Sequence, residues 1–178
     1  VNHRNHKMPG HIVTIEDPIE YIYQPRRCIV TQREIGIDTP SWKLAVQNAM
    51  RQAPDVVCIG EVRNEDSMEY ALQLAQTGHL CICTLHASTA NQAIERIIDV
   101  FPPHQQQQIR VQLANSLIGV LSQRLLPNPR VDQRMIMAME KMICNAAIRN
   151  MIREGKVHQI HNAMLTSKSY GMKTMDQA

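Results

Sequence analysis

The sequence predicts an α/β protein, a parallel sheet flanked by helices with a C-terminal helical appendage. Three short apolar runs, Ile12 to Ile15, Val56 to Ile59 and Leu80 to Leu85, are bounded by polar or turn-forming residues, as buried strands are. Helical periodicities separate them, and strand, helix, strand in that order means parallel βαβ units. Beyond Phe101-Pro102-Pro103 the pattern becomes predominantly helical.

Each element has a local reason. The chain has no initiator Met and enters the strand-like "HIVTIEDPIEY" almost at once, which reads as a fragment whose N-terminal part is missing. Thr39-Pro40-Ser41 supplies a cap and an early proline, and Trp42, Ala45, Val46, Ala49 and Met50 then recur at helical spacing up to Pro54. Val56 to Ile59 runs directly into Gly60-Glu61. The next helix spans Glu65 to Gln76, with Met68, Leu72 and Ala75 inward and Gly78 placed to close it in the left-handed conformation. Ile109, Leu113, Leu117 and Leu121 predict one long helix. Met135 to Met142, after the Pro127-Asn128-Pro129 break, fits neither period cleanly and leaves room for one further strand. A last helix runs from Asn145 as cap to Gly155, with Ile148, Met151 and Ile152 inward and Arg149, Arg153 and Glu154 as an exposed charged face. Residues 1–125 form the α/β core in this reading, and residues 126–178 the mostly helical remainder.

Composition narrows the function classes. A 44% apolar fraction over 178 residues supports one domain with a proper core and a small appendage. The net charge is +3 with basic residues scattered, so no stripe suggests a nucleic-acid groove. Five cysteines lie inside apolar runs and never as CxxC, which argues against a zinc ribbon and a secreted disulfide framework and fits a reducing cytoplasm. No run approaches the ~18 apolar residues of a membrane span, and no signal-peptide core opens the chain.

The ends of the apolar strands are where chemistry would sit. In a parallel sheet, side chains just past the carboxyl ends of neighbouring strands converge on one crevice, so Glu16 and Glu61 could face one ligand. Adjacent strands are about 4.8 Å apart, close enough for two carboxylates to share a metal ion and its water. Phosphoryl-transfer enzymes use such carboxylates to hold Mg²⁺ and orient a nucleophile. His86, just past the third strand, could reach a terminal phosphate. Taken singly, Glu61 reads equally as a capping or salt-bridged surface carboxylate and His86 as a satisfied near-core residue.

The combination is more specific. "TIEDPIEY" (Thr14 to Tyr21), "APDVVCIGEVRN" (Ala53 to Asn64), "TGHLCICTLHAST" (Thr77 to Thr89) and "AIRNMIREG" (Ala147 to Gly155), in this order, closely resemble the Asp box, Walker B, His box and C-terminal signature of PilT-type twitching-motility ATPases of the secretion-ATPase superfamily. The resemblance spans nearly the whole chain. It implies a RecA-like core, ATP and Mg²⁺ as cofactors, a homo-hexamer at the cytoplasmic face of the inner membrane, a pilus platform protein as partner, and ATP hydrolysis that drives type IV pilus retraction. It assigns Glu16 and Glu20 to the Asp box, Glu61 to Walker B, and His79 and His86 to the His box. In that frame Glu61 positions Mg²⁺ through water, Glu16 is the general base, Glu20 and His86 attend the nucleotide, and His86 senses the γ-phosphate. His79 and Arg63 are structural or face a neighbouring subunit, while Arg149, Arg153 and Glu154 couple hydrolysis to pilus work. His79 and His86, read as one strand, stand roughly 20 Å apart at ~3.3 Å per residue.

Three departures stand out. Asn64 occupies a position where the family has Asp, and Met151 one where it has Leu. Nowhere does the sequence contain a G-x-x-x-x-G-K-[ST] phosphate loop; "EGKVHQ" and "YGMKTM" lack the first glycine and the order. A pilus-assembly or type II secretion ATPase is a rival reading, without the four-cysteine zinc element usual there; a non-catalytic ring or interaction module is another.

The missing loop generates a test. Backbone amides and a lysine normally grip the β- and γ-phosphates, and carboxylates alone repel a polyphosphate. Isothermal calorimetry of the 178-residue chain with millimolar MgATP is expected to give no binding heat, and tight binding would contradict this reading.

Overall fold

The computed structural model describes residues 1–62, 64–128, 134–167 and 170–178. It divides into two compact units, Val1–Leu85 and His86–Ala178.

The first unit contains α1 (Asn2–Lys7), β1 (Gly10–Glu16), β2 (Cys28–Glu34), α2 (Trp42–Met50), β3 (Val56–Ile59), α3 (Glu65–Gln76) and β4 (Leu80–Cys83). The strands form one parallel sheet in the order β2-β1-β3-β4. β1 is interior, and Ile12, Val13, Thr14 and Ile15 are all buried, so both faces of the strand are covered. That is why it reads as a continuous apolar run rather than an alternation. Ser41 caps α2 by accepting the Leu44 N–H, and Ala45, Val46 and Ala49 face inward as their spacing requires. α3 has its expected limits, and Gly78 follows it at φ +93°.

Two local expectations need correction, and one strand went unread. β4 is not a buried strand: Leu80 is 43% and Ile82 44% exposed on one face, while Cys81 and Cys83 on the other face are half-buried, so only one face is covered. It also stops at Cys83 instead of Leu85. Thr84 leaves the ladder to donate its hydroxyl to the Gly60 carbonyl and to accept the Val62 N–H at 3.1 Å. β2 escapes the apolar pattern because only Cys28 of its seven residues is fully buried.

The second unit contains α4 (Ala90–Asp99), α5 (Pro103–Ser116), an antiparallel hairpin of β5 (Gly119–Pro127) and β6 (Met135–Ile143), α6 (Ala146–Arg153) and α7 (Ile160–Thr166), with 3₁₀ turns at Val157–Gln159 and Met175–Gln177. Its core joins Ile94, Met142, Ile148, Ile152, Ile160 and Met164. The long helix through Leu121 does not form. α5 ends at Ser116, Leu117 turns to ψ 126°, and Leu121 sits 65% exposed on β5. Gly119 permits the switch, since a Cβ there would lie 2.7 Å from the Met142 carbonyl oxygen on the paired strand. The unassigned Met135 to Met142 stretch is therefore strand, and position 125 lies inside β5 rather than at a boundary between compact units. α6 begins as expected, with the Asn145 side chain accepting the Ile148 N–H at 3.0 Å.

β3 runs directly into a glycine because the neighbouring strand leaves no room for a side chain. Gly60 donates its N–H to the Ile15 carbonyl at 2.8 Å, prolonging the β1–β3 ladder by one step. A Cβ at position 60 would stand 3.3 Å from Glu16 Cα, 3.4 Å from the Ile15 oxygen and 3.5 Å from Glu16 Cγ. Backbone cannot yield as a flexible side chain can, so glycine is what lets Glu16 and the β3 exit approach. Gly60→Ala is expected to cost about 1–3 kcal/mol by overpacking, measured as a lower urea midpoint at unchanged slope. An unaltered midpoint would show that this contact has slack.

Candidate functional site

The carboxyl edge of the first unit collects carboxylates by register. Glu16 is the last residue of β1 and stands level with Glu34, the last residue of β2. The ladder pairing Ile15 with Ile59 puts Gly60 level with Glu16, so Glu61 follows one residue beyond. Glu16 and Glu61 thus lie at the exits of adjacent strands, offset by one residue rather than directly opposed.

Glu16 is held through one of its oxygens. Buried Thr14 donates its hydroxyl to Glu16 Oε1 at 2.6 Å, and Gln32 Nε2 donates to the same oxygen at 3.1 Å. Thr14 and Gln32 are register partners, so the sheet itself aligns the two donors. The Gln32 amide also donates to the Tyr21 carbonyl at 2.9 Å and accepts the Tyr23 N–H at 2.8 Å, fastening the loop after β1. Tyr21 and Tyr23 meet edge to face at 4.9 Å. Burial, and then the Glu16 charge, push the Tyr23 phenol above its ordinary value. Glu34 Oε2 accepts the Ile19 N–H at 3.0 Å, a second tie on that loop. Glu20, in the same loop, is exposed. Thr14, Gln32 and Glu34 are site residues that strand-end reasoning missed; the signal was the polar "TQRE" ending β2.

Glu61 is half-buried, in a segment pinned from both sides by the Gly60 and Val62 bonds to Ile15 and Thr84. Arg63 lies outside the described residues. Asn64 explains its own departure from the family pattern. It is the N-cap of α3, accepting the Ser67 N–H at 3.0 Å in a reciprocal capping box, a role Asn and Asp fill equally well.

The histidines separate. His79 precedes β4, at the amino end of the sheet, where its Nδ1 meets the Thr77 hydroxyl at 3.0 Å. His86 lies three residues beyond β4 and opens the second unit, so the two do not share one strand. His86 is exposed and, with Ser88, Gln92, Glu95, Arg96 and Asp99, lines an open cleft of about 370 Å³ along one face of α4. Arg96 Nη1 donates to the His86 carbonyl at 3.1 Å.

The charged face expected on α6 is only partly one. Ile148 and Ile152 are buried and Arg153 and Glu154 exposed as the periodicity requires. Arg149, however, is half-buried: its guanidinium donates to the Ala114 carbonyl and, at 3.0 Å, to the Asn115 carbonyl at the end of α5. A cation there satisfies orphan carbonyls and the negative end of the helix dipole, which draws it out of solvent. Lys156 pairs with Glu154 at 2.8 Å, and that hydrogen bond, aided by Asn150, lowers the Glu154 carboxyl pKa below its ordinary value.

No group of three or more His, Cys, Asp or Glu side chains forms a metal cage among the described residues. Burial pushes the Cys58 thiol up to about 11 and the Cys81 thiol up to about 12, so neither supplies thiolate at neutral pH. The donors at the edge are hard carboxylate oxygens, which fit Mg²⁺ bound by one or two carboxylates with water and phosphate completing the shell.

Comparison with known proteins places this geometry. Residues 1–175 match the family model described as type II/IV secretion system protein. The chain is 46% identical to the type IV pilus ATPase PilU of Pseudomonas aeruginosa and 41% identical to a twitching motility protein of Neisseria gonorrhoeae, over 100% of its length in each case and 46% and 47% of theirs. A crystal structure of the pilus retraction motor PilT with bound ADP superposes with a TM-score of 0.89 at 44% identity, over 99% of this chain and 49% of that one. The chain therefore spans about half the length of these relatives. With a RecA-like parallel sheet and a family match along nearly its whole length, it belongs to the type II/IV secretion system protein family.

Proposed function

We propose that this chain is the hydrolytic C-terminal part of a motor ATPase that drives type IV pilus retraction and twitching motility. The observation that carries the reading is the placement of Glu16 and Glu61 at the exits of the paired strands β1 and β3, with Gly60 packed against Glu16. It is joined by the likeness to proteins whose names are pilus ATPase and retraction motor.

Glu16, its Oε1 already engaged by Thr14 and Gln32, would accept through its carboxylate the proton lost by the attacking water. Glu61 would hold Mg²⁺ through water and keep the nucleophile in line. Mg²⁺, when bound, supplies neutralisation of the charge on the phosphate oxygens. Glu20 would attend the nucleotide from its exposed loop, and His86 would sense the terminal phosphate. Arg63 and His79 would serve subunit packing, and a phosphate loop contributed by sequence outside this chain would grip the nucleotide. The working state would be a homo-hexamer at the cytoplasmic face of the inner membrane, acting on a pilus platform protein. Coupling to pilus work falls to exposed Arg153 and Glu154, since Arg149 is half-buried against the end of α5.

The test uses a motor completed by joining this chain to the N-terminal half of the Neisseria gonorrhoeae twitching motility protein. Glu16→Gln is expected to lower kcat for ATP by roughly 10²–10⁴, the usual contribution of a general base, while bound ADP is retained. A parent motor that binds ATP yet never hydrolyses it would favour the non-catalytic ring module.

The same motor separates hydrolysis from coupling. Arg153→Ala is expected to leave turnover within a few-fold and abolish retraction in a pilus-retraction assay. Arg149→Ala should lower stability by about 1 kcal/mol, the discounted value of a half-exposed charged hydrogen bond. Parallel loss of turnover and retraction in Arg153→Ala would assign the helix to hydrolysis instead.

A further inference from the structure

The second unit contains a buried acid that the hydrolytic reading does not use. Glu140 on β6 is 2% exposed, in a strand otherwise rich in methionine. Both of its oxygens accept backbone N–H groups from distant parts of the chain: Oε1 from Ala90 at 2.6 Å and Oε2 from Met175 at 3.1 Å. Ala90 is the first residue of α4, and its N–H is one of the donors a helix leaves unpaired at its start. Met175 opens the C-terminal turn, which lies against β6 through reciprocal bonds of 2.8 and 2.9 Å between Lys141 and Lys173.

We propose that Glu140 is a positioning residue that ties the C-terminal turn to the loop carrying His86, so that docking of residues 171–177 sets where that loop stands. This rests on the reading of His86 given above. The loop from His86 to Thr89 has local ties: Arg96 to the His86 carbonyl, the Ser88 N–H to Gln92 Oε1 at 3.2 Å, and the Gln92 N–H to the Thr89 hydroxyl at 3.3 Å. All of these come from α4 itself and move with it. Glu140 reaches the start of the helix from another element. A buried carboxylate is costly unless its charge is compensated, and here two N–H donors and the positive end of a ten-residue helix do so. The geometry also requires a carboxylate. Glutamine has the same shape, but one of its two groups is an NH₂ that would face an N–H donor. Withdrawing the C-terminal turn leaves buried Oε2 without its Met175 donor, and Glu140 then rotates or hydrates, releasing Ala90.

The experiment combines hydrogen exchange on the 178-residue chain with steady-state kinetics on the completed motor. Glu140→Gln, and separately deletion of residues 174–178 with Glu140 intact, are each expected to speed exchange of the Ala90 amide at least tenfold at an unchanged circular dichroism spectrum. In the motor both should lower kcat at least tenfold with the KM for ATP within about threefold. Glu140→Gln combined with His86→Ala should be no slower than His86→Ala alone. Unchanged Ala90 exchange in the deletion would overturn the tie. Losses that multiply in the double variant would show that Glu140 acts other than through His86. A His86→Ala motor as active as its parent would instead refute the reading of His86 and the kinetic half of the proposal, leaving Ala90 exchange to judge the tie by itself.

Discussion

The carboxylate edge depends on one close approach, that of the β3 exit to Glu16. The parallel ladder of β1 and β3 continues through the Gly60 N–H onto the Ile15 carbonyl, which brings position 60 to within a Cβ's reach of the Glu16 backbone. From that contact the surroundings follow. Glu61 is delivered one residue past Glu16, Thr84 is drawn out of β4 to close on Gly60 and Val62, and α3 begins at Glu65 under the Asn64 cap. An apolar strand ending in glycine and glutamate is thus a device for placing one carboxylate against a neighbouring strand without a side chain between them.

The parts of this arrangement legible in the sequence are those where burial is two-sided. Ile12 to Ile15 and Val56 to Ile59 are apolar at every position because both sheet faces are covered, so a run of consecutive hydrophobes suffices to find them. β2 was hidden because its only fully buried residue is Cys28, while Thr31, Gln32 and Glu34 carry hydrogen bonds that no periodicity reveals. The site was legible at Glu16 and Glu61, whose positions follow from strand ends, and illegible at Thr14 and Gln32, which matter only because the register sets them side by side. Leu117 and Leu121 continued a helical spacing by coincidence. The helix was broken by the packing of Gly119 on Met142, a contact between residues distant in sequence. α4 went unassigned in the sequence reading, although Thr89 as cap and Ala93, Ile94, Ile97 and Ile98 as its buried face carry an amphipathic signal.

The second unit shows how helix ends become junctions. Each terminus leaves unpaired backbone groups, and in a small unit the nearest partner is often a side chain from elsewhere. Arg149 of α6 closes the carboxyl end of α5, and Glu140 of β6 closes the amino end of α4. The charge has the sign the helix dipole favours in both cases. Residues that amphipathic patterning would place on a solvated face or a strand surface are therefore structural links, and a charge inventory read from periodicity overstates how much of α6 faces water.

The electrostatics of the carboxylate edge argue for what it can receive. The hydrogen bonds that hold Glu16 and Glu34 come from neutral donors: the Thr14 hydroxyl, the Gln32 amide and the Ile19 backbone N–H. Such donors orient a carboxylate while leaving its negative charge in place, whereas a guanidinium or ammonium partner would cancel it. Two level carboxylates on adjacent strands raise the local negative potential. That potential attracts a divalent cation and repels a bare polyphosphate. Oriented oxygens of retained charge suit a metal-associated phosphate better than a free anion. In the proposed motor the edge would complement a phosphate loop, which supplies the opposite field through backbone amides and a lysine.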